Sequence, residues 1–196
     1  YEGDTENCFP HGRGKIQYPS GDVYEGGFQE GQYHGQGKLT HLSGAEYDGG
    51  WKEGKYHGRG SLKIADKLSY TGDFMHGRRE GYGVERLPGG EQYTGEYSNN
   101  KWHGEGVMQE ANGTFYSGSW REGVRSGKGT GKSPEFGTYI GDWLCGKMHG
   151  SGEFHFTDGS IYKGSFQNGQ EHGYGVCTYP AGAYETVFMY VGEWRD

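Results

Sequence analysis

A tyrosine recurs every 23 residues, at Tyr1, Tyr24, Tyr47, Tyr70, Tyr93, Tyr116, Tyr139 and Tyr162. A period of this length means copies of one small supersecondary unit, each burying its apolar face only against its neighbours. With each repeat numbered from its Tyr, positions 3, 12 and 14 are Gly in all eight repeats, and position 5 is aromatic in seven: Phe28, Trp51, Phe74, Tyr97, Trp120, Trp143 and Phe166, with Thr5 the exception. Positions 8 and 21 are Gly in six repeats each, so these five slots hold 36 of the 42 glycines. The glycine excess is therefore periodic and does not mark a flexible linker. The whole of 1–196 reads as one array, with repeats 1–23, 24–46, 47–69, 70–92, 93–115, 116–138, 139–161 and 162–189 and a partial repeat 190–196. Tyr190 arrives 28 residues after Tyr162, five late. The sequence starts and stops inside the pattern, which is expected of a piece of a longer protein.

Hydrophobic residues make up only 31% of the chain, and aromatic ones 16%. A thick aliphatic core is excluded. Mean hydropathy of −0.98 would suit disorder, but disordered chains are poor in aromatics. The net charge of −7 excludes a general affinity for nucleic acid. Three cysteines, Cys8, Cys145 and Cys177, are odd in number and too few for a disulfide framework. They indicate a reducing, cytoplasmic setting. No apolar run approaches the roughly 18 residues of a membrane-spanning helix.

Glycine at nearly every fourth position would melt a helix, and the pattern alternates as a strand does. Positions 1, 3 and 5 share one face; positions 2 and 4 face the other way and are mostly polar, as in Glu2, Asp4, Glu25, Asp48, Asp73, Glu96 and Asp142. A turn follows at position 8, as in Glu30-Gly31 and Asn168-Gly169, and a second strand spans about positions 11–18. In the simplest register position 5 opposes 12, 3 opposes 14 and 1 opposes 16. Between repeats, Tyr18 would oppose Tyr24 across a Ser20-Gly21-Asp22 loop. Phe28 would then lie between Gly14 and Gly35, its ring flat on backbone that lacks a Cβ, so Gly35→Val should damage folding more than Gln36→Val. The expected fold is all-β: an elongated single-layer antiparallel sheet of stacked 23-residue hairpins, a twisted, solenoid-like ribbon. About 17 strands at about 4.8 Å each would extend roughly 80 Å. Its aromatic face comprises Tyr24, Phe28, Tyr47, Trp51, Tyr70, Phe74, Tyr93, Tyr97, Tyr116, Trp120, Tyr139, Trp143, Tyr162 and Phe166.

The segments Tyr24-Glu-Gly-Gly-Phe28, Tyr47-Asp-Gly-Gly-Trp51 and Tyr139-Ile-Gly-Asp-Trp143, with His34-Gly-Gln-Gly37 and His57-Gly-Arg-Gly60, resemble the MORN (membrane occupation and recognition nexus) repeat. The resemblance covers essentially the whole chain. It implies stacked β-hairpins, no catalysis by the repeat itself, and a role in scaffolding, docking and dimerisation, sometimes near membranes. A run this long is most like the cytoskeletal scaffold members of the family.

Other signals have plainer readings. His11, His34, His57, His103, His149 and His172 share position 11, but Glu80 and Ser126 fill it elsewhere. A ring hydrogen-bonding the adjacent loop explains the slot better than pH sensing does. Cys145, His149, His172 and Cys177 supply zinc-type donors, yet no single repeat supplies four. A structural zinc would sit at a dimer contact, and the simpler expectation is no metal and no cofactor. Ser126-Gly-Lys-Gly-Thr-Gly-Lys-Ser133 mimics a phosphate loop but has Ser126 where Gly is required and Pro134 where a helix should begin. Asn112-Gly113-Thr114, formally a glycosylation sequon, reads as a turn. Arg13, Lys15, Lys38, Arg59, Lys63, Arg86, Lys128 and Lys132 lie on the polar face beside interleaved carboxylates. They read first as a cross-strand charge ladder and second as a phospholipid-headgroup stripe. The densest apolar stretch is Thr186–Val191. Open sheet edges invite pairing, so Val187, Phe188, Met189, Tyr190 and Trp194 are expected at a homodimer interface.

The sequence thus predicts a non-enzymatic scaffold, cytoplasmic and cytoskeleton-associated, with the membrane periphery as a second location. Its expected partners are itself and cytoskeletal or other proteins. The rival readings are a phospholipid-binding tether and a regulatory region of a larger enzyme.

Overall fold

The computed structural model describes residues 1–65, 68–180 and 188–194. All regular structure among them is β: β1 (Glu2–Glu6), β2 (Phe9–Gln17), β3 (Val23–Gln29), β4 (Gln32–Thr40), β5 (Glu46–Lys52), β6 (Lys55–Ile64), β7 (Leu68–Met75), β8 (Arg78–Arg86), β9 (Gln92–Ser98), β10 (Lys101–Gln109), β11 (Phe115–Arg121), β12 (Val124–Ser133), β13 (Gly137–Leu144), β14 (Lys147–Phe156), β15 (Ile161–Gln167), β16 (Gln170–Tyr179) and β17 (Phe188–Trp194). The chain divides into two compact halves, Tyr1–Lys101 and Trp102–Asp196. In the N-terminal half β1 to β9 pair antiparallel, each with its sequence neighbour. In the C-terminal half β10, which begins at the boundary, through β17 do the same.

Two residues turn each hairpin. Glu30 and Gly31 both have left-handed φ values, 49° and 78°, between the paired Gln29 and Gln32. This is the type I′ turn that the twist of a two-residue hairpin requires. The position-8 amide is left free by the turn and donates to the position-10 carbonyl of the preceding repeat: Gly31 to Pro10 at 2.9 Å, Gly54 to Tyr33 at 3.0 Å and Gly146 to Arg125 at 2.9 Å. Consecutive repeats are thereby tied at their turns as well as along their strands.

Part of the expected register holds. Gly26 pairs with Gly37 and Tyr24 with Leu39. Within one hairpin position 5 does not face position 12, however. Phe28 faces Tyr33 and Trp51 faces Tyr56, both at position 10. A bulge intervenes, with Gly35 and Gly58 in it at φ +70° and +67°. Position 12 is therefore glycine for backbone handedness. A Cβ on Gly35 or Gly58 would meet nothing within 4 Å, so the expected clash of Gly35→Val with Phe28 is wrong in cause.

The connection between repeats is also corrected. Ile16, not Tyr18, pairs with Tyr24, and the Tyr18 amide donates to the Asp22 carbonyl at 2.9 Å. The loop is Pro19-Ser20-Gly21, with Gly21 at φ +92° as its last residue. Three-residue loops put their left-handed residue last, which slides the register by two and leaves every side chain on its expected face. Phe28 consequently lies opposite Gly12 and Tyr33, and Gly14 pairs with Gly26. Glycine meets glycine on successive strands, making a bare row from Gly3 and Gly14 to Gly83 and Gly95 in one half and from Gly106 to Gly175 and Gly192 in the other.

The rings that lie on this row are the position-1 tyrosines. Tyr24, Tyr47, Tyr70, Tyr93 and Tyr162 are 0% exposed. A Cβ on Gly37 would stand 2.6 Å from Tyr24 Cζ, and one on Gly60 the same distance from Tyr47 Cζ. Each Tyr hydroxyl donates to the carbonyl of position 4: Tyr24 to Gly27 at 2.9 Å, Tyr47 to Gly50 at 2.8 Å and Tyr139 to Asp142 at 2.9 Å. Gly27 and Gly50 are residues that the bulge leaves without a Cα partner in the hairpin, so the buried hydroxyl and the bulged backbone satisfy each other. Position-5 rings stand edge-on between successive tyrosines. Trp51 lies 5.3 Å from Tyr24 at 90° and 5.1 Å from Tyr47 at 87°, the geometry that aromatic quadrupoles favour. Its Nε1 donates to the Gly37 carbonyl at 2.9 Å. The core is thus a continuous aromatic zigzag within each half.

Candidate functional site

A second aromatic-face pattern crosses the strands at positions 10 and 16. In repeats 2 and 3 position 10 is Tyr33 or Tyr56, stacked on Tyr24 or Tyr47 at 3.6 and 3.7 Å. In repeat 4 the two slots are Arg79 and Glu85, which form an ion pair. Glu85 is 5% exposed, accepts from Tyr97 Oη at 3.2 Å, and the Arg79 guanidinium lies over Tyr70 and Tyr97 at 5.6 and 5.4 Å. These slots were not singled out from the sequence. The missed signal is present, because position 10 varies through Pro, Tyr, Arg, Trp, Met and Glu while position 12 is Gly in every repeat.

Grooves open beside these slots. One of about 310 Å³ lies at Tyr33, Leu39, Trp51, Lys55 and Tyr56. Its counterpart in the C-terminal half, at Trp143, has a volume of about 410 Å³. Both fall within the range of ligand-sized concavities. On the opposite face the glycine row floors a shallow trough of about 600 Å³ with Arg13, Lys15, Glu25, Lys38 and Asp48 along its sides.

That polar face carries the expected ladder. Lys38 meets Glu46 at 3.1 Å, Arg59 meets Asp73 at 3.5 Å, Lys128 meets Asp142 at 2.6 Å and Lys163 meets Glu153 at 2.9 Å. The Lys128 hydrogen bond lowers the Asp142 pKa, and Lys163 does the same for Glu153. Asp142 also accepts from the Ser151 amide at 3.0 Å, so position-4 carboxylates brace the bulge. On the aromatic face burial raises the tyrosine pKa values, to about 12 at Tyr116 and Tyr139.

The zinc-type donors are dispersed. Cys145 lies exposed in the β13–β14 turn, whereas Cys177 is buried in β16 opposite Tyr162. Among the described residues no group of three potential ligands forms. Among the position-11 histidines, Nδ1 of His57 and of His172 is buried without a hydrogen-bond partner. His11 Nδ1 does meet Glu6, at 3.1 Å. At the C-terminal end, Val187 lies outside the described residues. Met189 and Tyr190 are 67% and 49% exposed on β17, while Trp194 packs edge-on against Tyr162 at 5.2 Å. Trp194 thus continues the core zigzag. No helix among the described residues is long and apolar enough to cross a membrane.

None of the curated proteins matches the chain. Among solved structures, a similar one is the SAS-4 (dCPAP) TCP domain of Drosophila melanogaster, in complex with a proline-rich motif of Ana2 (dSTIL). Identity is 12%, with 93% of this chain and 90% of that one covered and a TM-score of 0.48. The family model described as MORN repeat matches residues 1–23, 24–45, 47–68, 70–92, 93–115, 116–130, 139–161 and 162–184. With glycine-paved hairpins observed in the same segments, the chain belongs to the MORN repeat family.

Proposed function

We propose that the chain is a non-catalytic scaffold that docks proteins along its repeated grooves and self-associates through β17. The family's repeats serve as protein-interaction or membrane-associated modules. The observation that carries the reading is the recurrence of one groove geometry, at Trp51 and again at Trp143, above a core whose phenols are committed to backbone carbonyls. A surface of this kind repeats contacts at fixed intervals, which is what an assembly template requires. Retention of the tagged protein in the detergent-insoluble cytoskeletal fraction tests the scaffold role, and complete release into the soluble fraction overturns it.

Self-association is supported by the exposed Met189, Tyr190 and Val191 on a strand that pairs, among the described residues, only with β16. Such an edge adds strands readily. Light scattering at tens of micromolar should give twice the 21.7 kDa chain mass; a monomer mass removes this part of the proposal. Phospholipid binding has weaker support, since Lys15, Lys38, Arg59 and Lys128 are engaged with carboxylates. Salt-sensitive vesicle flotation lost on replacing Lys38, Lys63 and Lys132 would favour it instead.

A further inference from the structure

Three slots of repeat 6 meet in one place, and two of them depart from the residue most repeats carry. Position 10 is Arg125, position 16 is Gly131 where most repeats carry an apolar side chain, and loop position 21 is Phe136 where six repeats carry Gly. All three line the groove of about 410 Å³ at Trp143. The Arg125 guanidinium lies 4.7 Å from the Trp143 ring and 5.6 Å from that of Tyr116. Gly131 takes the place of Leu39 in the equivalent groove of the N-terminal half, and the Trp143 ring lies directly over it. A Cβ there would stand 2.7 Å from Trp143 Cζ2. Phe136 is 63% exposed at the rim.

The comparison with repeat 4 determines the chemistry. There the same two slots hold Arg79 and Glu85, so the cation has its counter-ion built in. In repeat 6 the arginine faces a glycine. Among the described residues, Lys132 and Lys147 also line this groove and no carboxylate does. A chain of net charge −7 thus presents the Arg125 cation over an aromatic floor with no carboxylate among the described lining residues. The missing carboxylate must come from whatever enters. Guanidinium binds carboxylate through paired, charge-assisted hydrogen bonds, while Trp143 and Phe136 offer an adjoining apolar surface.

We propose that this groove binds an acidic segment of a partner protein, in which a carboxylate side chain reaches Arg125 and an adjacent apolar or aromatic side chain covers Trp143. The proposal rests on the protein-docking reading and adds the location and ligand chemistry. A membrane surface is disfavoured because the Arg125 guanidinium lies in a concavity over Trp143 and Tyr116 and not on a flat face.

The test uses three fluorescein-labelled heptapeptides, one alternating Glu with Phe, one Lys with Phe and one Glu with Ser, titrated by anisotropy. The Glu/Phe peptide should bind the wild-type protein at least tenfold more tightly than either other. Arg125→Gln with Lys147→Gln should weaken it at least tenfold. Phe136→Gly should weaken it without touching the charges, and Gly131→Leu, if circular dichroism shows it folded, should block it. Lys52→Gln, at an exposed position on β5 that lines neither groove, should have no effect. Glu/Phe binding that survives these substitutions overturns this site while leaving protein docking intact. No binding by any peptide overturns the site, whereas the cytoskeletal-fraction experiment decides the scaffold reading separately. Phosphatidylserine vesicles that bind through the same residues, or peptide binding abolished by dimer formation because a second copy fills the groove, would also overturn it.

Discussion

Gly35 and Gly37 stand two residues apart in β4, are both glycine in every repeat, and are glycine for different reasons. Gly35 is at φ +70° with open space where a Cβ would be, so Gly35→Ala meets only the left-handed penalty, about 1–2 kcal/mol. Gly37 has no such φ, but its Cβ would stand 2.6 Å from Tyr24 Cζ. The Tyr24 ring is fully buried and has nowhere to retreat. Moving it sacrifices the hydrogen bond to Gly27, worth about 1 kcal/mol. It also disturbs edge contacts with Phe28 and Trp51, each about 0.5–1.5 kcal/mol. With overpacking strain of about 1–3 kcal/mol, Gly37→Ala should cost about 3–7 kcal/mol. At about 2–4 °C per kcal/mol for a chain of this size, Tm should fall by about 10 °C or more for Gly37→Ala and by a few degrees for Gly35→Ala. The assay is calorimetry with near-ultraviolet circular dichroism, completed by a double-mutant cycle with Tyr24→Ala. Once the ring is gone, Gly37→Ala should cost little more. Equal losses for the two alanines, or additivity in the cycle, would refute the idea that glycine row and tyrosine are one device.

In repeat 4, Arg79→Gln or Glu85→Leu alone should lower stability by about 3–5 kcal/mol by stranding a buried charge. Arg79→Tyr with Glu85→Leu, the residue types of repeat 2, should recover most of it in urea unfolding; singles as mild as the double would show the pair to be uncoupled. Alkaline pH should unfold the protein cooperatively. Folded-state tyrosine pKa values lie above the usual 10, at about 12 for Tyr116 and Tyr139. The protonated phenol is therefore favoured by folding, and that stability is complete below pH 10 and lost as pH rises from 10 towards 12. Tm should be level from pH 7 to 9 and fall steeply above about 10; a level Tm to pH 12 would contradict the burial.

The hairpin and its aromatic face were legible because each depends on a side chain that recurs. Tyr24, Tyr47 and their fellows mark one strand, and Glu30-Gly31 marks a turn whose chemistry is local. The bulge was not legible. Parity counts faces, and a register slip of two residues preserves parity, so Tyr18 opposite Tyr24 and Ile16 opposite Tyr24 predict the same alternation. Glycine was ambiguous for a related reason: Gly35 and Gly37 look alike in sequence, yet one meets a dihedral requirement and the other a steric one. The groove at Arg125 was hidden because it is built from exceptions to the repeat, while the repeat itself was read from its regularities. Comparing columns 10 and 16 across repeats would have exposed it.

The amide exchanged between successive hairpin turns governs how such a chain can change in length. The turn at Glu30-Gly31 has its donor committed to Pro10 one repeat earlier, so lengthening it would break a seam. The loops on the other side are tied through a side chain instead, as where the Leu42 amide donates to Asp22 Oδ1 at 2.9 Å, and not by an amide-to-carbonyl bond between repeats. Five surplus residues fall between Tyr179 and Phe188, and Gly175 still meets Gly192 across the gap. Insertions in proteins of this build should therefore gather along a single flank, and evolution should add or drop hairpins in whole copies while decorating only that flank.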